Sequence, residues 1–331
     1  MMARIPLVDL AEFDRPRRRR DDAVRALDDA CRDRGFFCVV GHGIAPELLA
    51  RLDTEARAFF ARPAEEKAEI AMARGGRAWR GWFPPGGELT SGVPDGKEGI
   101  YFGEELAHDD PRVRAGVPLH GPNLFPVHPA GLRATVLDVM DQLTALGQRV
   151  MRALALALGL DNDFFSRELT ADPTTLFRVF HYPPVGTVEA AHWGVAEHTD
   201  YGLLTLLVQD DTGGLEVRGP NGWAPVEPTP GMFVCNLGDM LERMTAGRYR
   251  STPHRVRPPI DRDRISSPFF FDPGWDVEVA PLPLGPTARD LETHPRWDHT
   301  NPHEWSGTYG EYLLAKVSKV FPGLGDAVAE P

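Results

Sequence analysis

Leu203-Leu204-Thr205-Leu206-Leu207-Val208-Gln209 is an apolar run of strand length, entered through Gly202 and left through Asp210-Asp211-Thr212-Gly213-Gly214. A run this short, bounded by turn residues, reads as a buried strand rather than a helix. Similar runs lie at 176–182, 214–217, 223–226, 232–236, 254–257 and 265–271. Asn221-Gly222 between two of them is a tight-hairpin signal. Short strands at this spacing predict a sandwich or jelly roll from residue 175 onward.

The chain before residue 175 has a different texture. Val24, Leu27 and Cys31 have helical spacing within 21–34, as do Leu48, Leu49, Leu52, Ala56 and Phe59 within 46–60. The longest pattern covers 132–158, where Val136, Val139, Met140, Leu143, Leu146, Val150 and Leu154 form an apolar stripe. Short strands are expected at 5–10 and 36–40. Residues 73–94 are rich in Gly, Arg and Trp without periodicity, which predicts a loop over something functional. Asp239 and Glu242 read as a capping box for a short helix ended by Gly247. Residues 309–321 read as a closing helix stopped by Pro322. No long Ser/Gly/Pro linker and no internal repeat divides the chain. The expected architecture is therefore mainly β with flanking helices, one domain over 1–331. Within it, 1–174 is a mostly helical part packing on the core, 175–280 is the jelly-roll core with the site, and 281–331 is a C-terminal segment and helix.

Bulk properties limit the partners. The 331 residues carry 36 basic and 48 acidic side chains, a net charge of −12, with 42% apolar residues. That balance is a globular one, and the acidic excess argues against DNA, RNA or an anionic membrane as main partner. Arg17-Arg18-Arg19-Arg20 runs straight into Asp21-Asp22 and reads as a solvated helix start. Cys31, Cys38 and Cys235 are odd in number and lack CxxC spacing, so neither a zinc ribbon nor a disulfide framework is expected. A reducing cytoplasm suits them. The N-terminus has no apolar signal-peptide region, and the apolar run near 153–160 is too short to span a bilayer.

His198 and Asp200 stand at i and i+2, projecting to one side of an extended segment. His254, preceded by Pro253, lies on a distant predicted strand. Two imidazoles and a carboxylate form the facial triad that holds non-haem Fe(II) and leaves positions open. Arg264 and Ser266 share a strand face ten residues further on. A guanidinium fork and a hydroxyl there suit the distal carboxylate of a 2-oxo acid, and Tyr182 offers a further hydroxyl. No P-loop or strand-linked dinucleotide fingerprint is present.

The chain resembles the isopenicillin N synthase-like family of Fe(II)/2-oxoglutarate-dependent oxygenases along nearly its whole length. The resemblance rests on Ile5-Pro6-Leu7-Val8-Asp9-Leu10, Gly35-Phe36-Phe37, Gly41-His42-Gly43-Ile44 and Phe59-Phe60 with Pro63 and Glu65-Glu66-Lys67. It continues through His198-Thr199-Asp200, Asn236-Leu237-Gly238-Asp239, Ser251-Thr252-Pro253-His254-Arg255-Val256 and Arg264-Ile265-Ser266. It implies a distorted double-stranded β-helix with iron on His198, Asp200 and His254, and 2-oxoglutarate on Arg264, Ser266 and Tyr182. Where many members have Asn-Tyr-Tyr-Pro, this chain has Phe180-His181-Tyr182-Pro183. The implied reaction uses dioxygen and 2-oxoglutarate to oxidise a C–H bond of a small molecule, releasing succinate and carbon dioxide. Hydroxylation is its default outcome.

Residues 79–83 and 97–103 resemble segments that line the family's substrate pocket. Arg80, Trp82, Tyr101, His192 and Phe269 are accordingly the candidate substrate contacts, with Trp193 beside them, while Phe102 reads as core. Two other readings use the same residues. One is an iron oxidase of the isopenicillin N synthase type, with Arg264 and Ser266 holding a substrate carboxylate. The other is a non-catalytic jelly-roll metal-binding protein.

Overall fold

Every strand-like run after residue 174 forms a strand in the computed structural model, which describes residues 5–186, 193–285, 296 and 299–324. In chain order the strands are β1 (Leu7–Asp9), β2 (Phe36–Val40), β3 (Gly81–Phe83), β4 (Leu89–Thr90), β5 (Val93–Pro94), β6 (Glu98–Gly103) and β7 (Thr174–Tyr182). There follow β8 (Val195–His198), β9 (Leu204–Gln209), β10 (Leu215–Gly219), β11 (Gly222–Pro225), β12 (Phe233–Leu237), β13 (His254–Val256) and β14 (Arg264–Asp272). The larger sheet runs β1-β2-β12-β9-β14-β7-β6-β3 and the smaller β11-β10-β13-β8, while β4 and β5 pair by themselves. Pairing in both sheets is antiparallel except between β1 and β2. The two sheets face each other across a cavity, giving the jelly roll that the strand spacing predicts.

The pleat decides what each side chain meets, because successive residues point to opposite faces. On β7, Leu176, Arg178, Phe180 and Tyr182 line the cavity, while Phe177 and Val179 are buried on the other face. On β14, Arg264, Ser266, Pro268, Phe270 and Asp272 line it, while Ile265, Phe269 and Phe271 turn away. Helices Pro46–Phe60 and Leu132–Leu158 pack against the larger sheet. The predicted stripe from Val136 to Leu154 is wholly buried. Each such side chain contributes about 1.5–3 kcal/mol on leaving water.

Three expectations need correction. Residues 1–174 do more than pack helices on a core. They supply β1, β2, β3 and β6 to the larger sheet, with β2 between β1 and β12 and β6 against β7. Residues 73–94 are not one loop: they form a 3-10 stretch at Met72–Ala78, then β3 and the β4–β5 hairpin. The capping box at Asp239 does not form. Gly238 is the N-cap of helix Asp239–Met244, and the Glu242 carboxylate instead accepts from the Ser251 N–H at 2.7 Å. A buried ion pair with Arg296 at 3.1 Å takes the Asp239 carboxylate. The Asn221-Gly222 hairpin forms, with Gly219 paired to Gly222 across the turn. The closing helix spans Tyr309–Val320. Among the described residues, no helix is long and apolar enough to cross a membrane. All three cysteines are buried and none is in a disulfide.

Candidate active site

The ligand set is assembled by the smaller sheet. β8 ends at His198 and β13 begins at His254, and the two residues are register partners with ring centroids 4.2 Å apart. Asp200 follows two residues past His198, in the turn towards β9. The strand leading into His198 had no signal as clear as the leucine run after Gly202, and sequence reasoning missed it as a separate strand. His198 Nδ1 lies 2.8 Å from the Ala196 carbonyl and His254 Nδ1 3.2 Å from the Thr252 carbonyl. An Nδ1–H donated to each carbonyl leaves an Nε2 lone pair facing the cavity. Both Nε2 atoms are 3.8 Å from Asp200 Oδ1.

Asp200 divides its oxygens. Oδ2 accepts from Asn236 Nδ2 at 2.6 Å and Thr205 Oγ1 at 2.5 Å, which leaves Oδ1 for the cavity. The Asp239 N–H donates to the Asp200 carbonyl at 2.8 Å and braces the backbone behind it. Burial, then the neighbouring His254, pushes His198 down to about 4. Burial tends to raise Asp200, yet His254, His198 and its two donors hold it below the usual carboxylate range. A neutral His198 beside an ionised Asp200 is the state in which the two can bind a divalent cation. The ligand atoms all lie within 4.8 Å of one another, and two nitrogens and one oxygen match the donor set of a non-haem Fe(II) site. The residues therefore fit the metal.

Arg264 is 1% exposed. Its Nε donates to the Gly213 carbonyl at 2.6 Å, NH1 to Ser266 Oγ at 3.0 Å and NH2 to Gln209 Oε1 at 3.2 Å. The ring of Tyr182, its register partner across β7 and β14, lies 4.8 Å from the guanidinium carbon. All three acceptors are neutral. The neighbouring Asp261, Arg262 and Asp263 form no ion pair with Arg264 among the described residues. A buried cation without an anion is costly.

The candidate substrate residues scatter. Arg80 is buried, donates to the Leu119 carbonyl at 2.7 Å and lines a different cavity, with Glu104, His120 and Trp275; burial lowers its guanidinium to about 10. Trp82 points to the outer face and donates to Glu98 Oε2 at 2.8 Å. Phe269 has the wrong parity relative to Arg264 and Ser266 and packs beside Phe177. Tyr101 pairs in register with Arg178 and shares its sheet face, but is not in the lining, its hydroxyl 2.5 Å from Glu88 Oε1. None of these four lines the cavity of the triad. His192 lies outside the described residues. His181 bridges Glu98 and Asp263 at 2.9 Å each, and Trp193 lies under Arg255.

Other side chains take those places. Glu88, Lys97, Arg178, Tyr201 and Phe270 line the cavity with the triad. Lys97 is buried between Glu88, 2.7 Å away, and Asp95, and the two carboxylates hold it charged despite burial. A signal was available for two of the five. Arg178 has the parity of Tyr182, and Phe270 that of Arg264 and Ser266.

Known proteins share this arrangement. The model of the 2OG-Fe(II) oxygenase superfamily matches residues 173–273, and that of the N-terminal region of non-haem dioxygenases in morphine synthesis matches residues 5–128. A Dictyostelium discoideum protein named "Probable iron/ascorbate oxidoreductase" is 43% identical over 352 residues, covering 98% of this chain and 96% of its own. A Glycine max homoarginine-6-hydroxylase is 36% identical over 335 residues, covering 97% and 98%. The crystal structure of a full-length Neurospora crassa protein in complex with alpha-KG and thymine superposes with a TM-score of 0.78 at 28% identity, over 95% of this chain and 96% of that one. On this likeness the chain belongs to the 2OG-Fe(II) oxygenase superfamily and is an oxidoreductase that uses Fe(II) and 2-oxoglutarate.

Proposed function

We propose that His198, Asp200 and His254 hold Fe(II), that Arg264, Ser266 and Tyr182 hold 2-oxoglutarate beside it, and that the enzyme hydroxylates a C–H bond of a small molecule. The observation that carries the co-substrate assignment is Arg264, a buried cation whose acceptors are all neutral. A guanidinium has five donors, and three are used here, so two remain for a carboxylate. When bound, the iron and 2-oxoglutarate together supply the oxidising power, with dioxygen consumed and succinate and carbon dioxide released.

The chain's own residues supply placement. The carbonyls of Ala196 and Thr252 fix the imidazole planes, and Asn236 and Thr205 fix the Asp200 carboxylate. Gly213, Gln209 and the Tyr182 ring hold the Arg264 fork before any ligand arrives, so little ordering remains on binding. Leu176, Leu207, Phe180 and Phe270 keep much of the wall apolar and exclude water. The relatives named above act on or bind small organic molecules, homoarginine and thymine among them. A small-molecule substrate agrees with this, and the net charge of −12 disfavours nucleic acid or an anionic membrane surface. Three buried cysteines outside any disulfide suit a reducing compartment, and we assign the protein to the cytoplasm.

Iron content and succinate release test the reading together. Wild-type protein should bind about one Fe(II) and form succinate from 2-oxoglutarate in an iron-dependent manner. Asp200→Ala should lose both. An iron-loaded, active Asp200→Ala protein would remove the triad. Substrate oxidation without succinate would favour the oxidase reading.

A further inference from the structure

Arg178 faces the same cavity as the triad, and nothing above gives it a task. Its side chain is 12% exposed. Among the described residues its guanidinium makes one long hydrogen bond, from NH1 to Glu88 Oε1 at 3.4 Å, and its buried Nε has no partner. Glu88 is its ion-pair partner at that distance but a shared one, because the same carboxylate accepts from the Tyr101 hydroxyl at 2.5 Å and lies 2.7 Å from Lys97 Nζ. The guanidinium is nevertheless held in place. The Tyr101 and Phe270 rings lie 4.2 and 4.7 Å from its central carbon. Arg264 pairs in register with Tyr182, and Arg178 lies four residues back along β7, a Cα separation of ~13 Å on an extended strand. The cavity thus carries two guanidinium groups on one wall, well apart, each with unused donors.

Resting on the assignment of Arg264 to 2-oxoglutarate, we propose that Arg178 anchors a carboxylate of the primary substrate, which is therefore a small organic acid. A planar fork with free parallel donors matches a carboxylate better than a neutral carbonyl, which uses one donor and brings no charge. Phe270, Leu313 and Val320 give the cavity an apolar surface for the remainder of the molecule. Tyr101 and Glu88 act as positioning residues that hold the fork in place.

The test uses Fe(II)-loaded protein with 2-oxoglutarate under anaerobic conditions, reading the change in the iron–2-oxoglutarate visible band as probes are added. The probes are L-homoarginine, 1-aminocyclopropane-1-carboxylate and phenylacetate, each beside its primary amide. At least one acid should perturb the band and saturate, and its amide should bind roughly tenfold or more weakly, the loss of a charge-assisted pair. Arg178→Gln should bring acid and amide to similar affinity, and Arg178→Lys should keep part of the gap. The comparison of acid with amide in the wild type stands even if a variant fails to fold. If no acid binds better than its amide, or if the gap survives in Arg178→Gln, the carboxylate anchor is wrong while the 2-oxoglutarate site stands. If the band never forms in the wild type, both assignments fall.

Discussion

Among single residues, the site depends on how each side chain shares its bonds. Asp200 Oδ1 faces the cavity only because Oδ2 is occupied by Asn236 and Thr205. Asn236→Ala should therefore weaken Fe(II) binding roughly tenfold to a hundredfold without unfolding the protein, since partners of this kind orient a ligand rather than supply one. An iron titration with a chelator competitor measures this, and an unchanged affinity would show that Asp200 needs no such brace. The cluster itself was legible: His198, Asp200 and His254 stood out by residue type, spacing and strand placement, and Arg264 and Ser266, read from the same pattern, line the same cavity. The cavity wall was not. Arg80 looked available in a Gly- and Trp-rich segment, yet the chain turns it into another cavity. Local composition carries no information about which way a loop residue turns. Where a strand was already recognised, parity alone separated Phe270 from Phe269.

Between elements, Asp272 at the end of β14 ties two pieces together. Its Oδ1 accepts from the Leu203 N–H at 2.9 Å, just past the Asp200 turn, and its Oδ2 from the Tyr309 hydroxyl at 2.5 Å, at the start of the closing helix. Gly202 is required beside it, because a Cβ there would collide with the Asp272 carboxylate. Burial pushes this carboxyl up to about 7, against the pull of Tyr309 and Leu203, from an ordinary 3.8. The folded state then binds more protons than the unfolded state between those values. Its contribution to stability is full below about pH 3.8 and is lost as pH rises through about 7. Asp272→Asn keeps the shape without the charge, so its melting temperature should rise relative to wild type from about pH 5 to about pH 8. A difference that stays constant with pH would contradict this. The helices 46–60 and 132–158 were readable to the residue because their apolar stripes are long and regular. β3, β6 and β8 were not. They are short, and β6 carries Glu98 and two glycines, so neither period shows.

Across the whole molecule, the larger sheet interleaves both halves of the sequence. β2 lies between β1 and β12, and β6 lies between β7 and β3. Without residues 1–174, β12 would lose its β2 partner and β7 its β6 partner, leaving backbone donors and acceptors unpaired on both edges. A protein of residues 175–331 should therefore show no cooperative thermal transition, while the full chain does. A sharp transition in the fragment would mean that the second half folds on its own. The jelly roll was predictable from its run of short strands. The contribution of the first half to it was not, since pairing as distant as Gly103 with Leu176 or Phe36 with Asn236 leaves no local pattern.

The function proposed here turns on a buried, uncompensated arginine beside a His–Asp–His cluster taking 2-oxoglutarate. Anaerobic titration of Fe(II)-loaded wild type and Arg264→Gln with 2-oxoglutarate decides it. The wild type should develop a weak visible charge-transfer band that saturates, and Arg264→Gln should keep its iron but need roughly tenfold or more 2-oxoglutarate. Equal titration curves for the two proteins, or iron binding without any band in the wild type, would contradict the assignment.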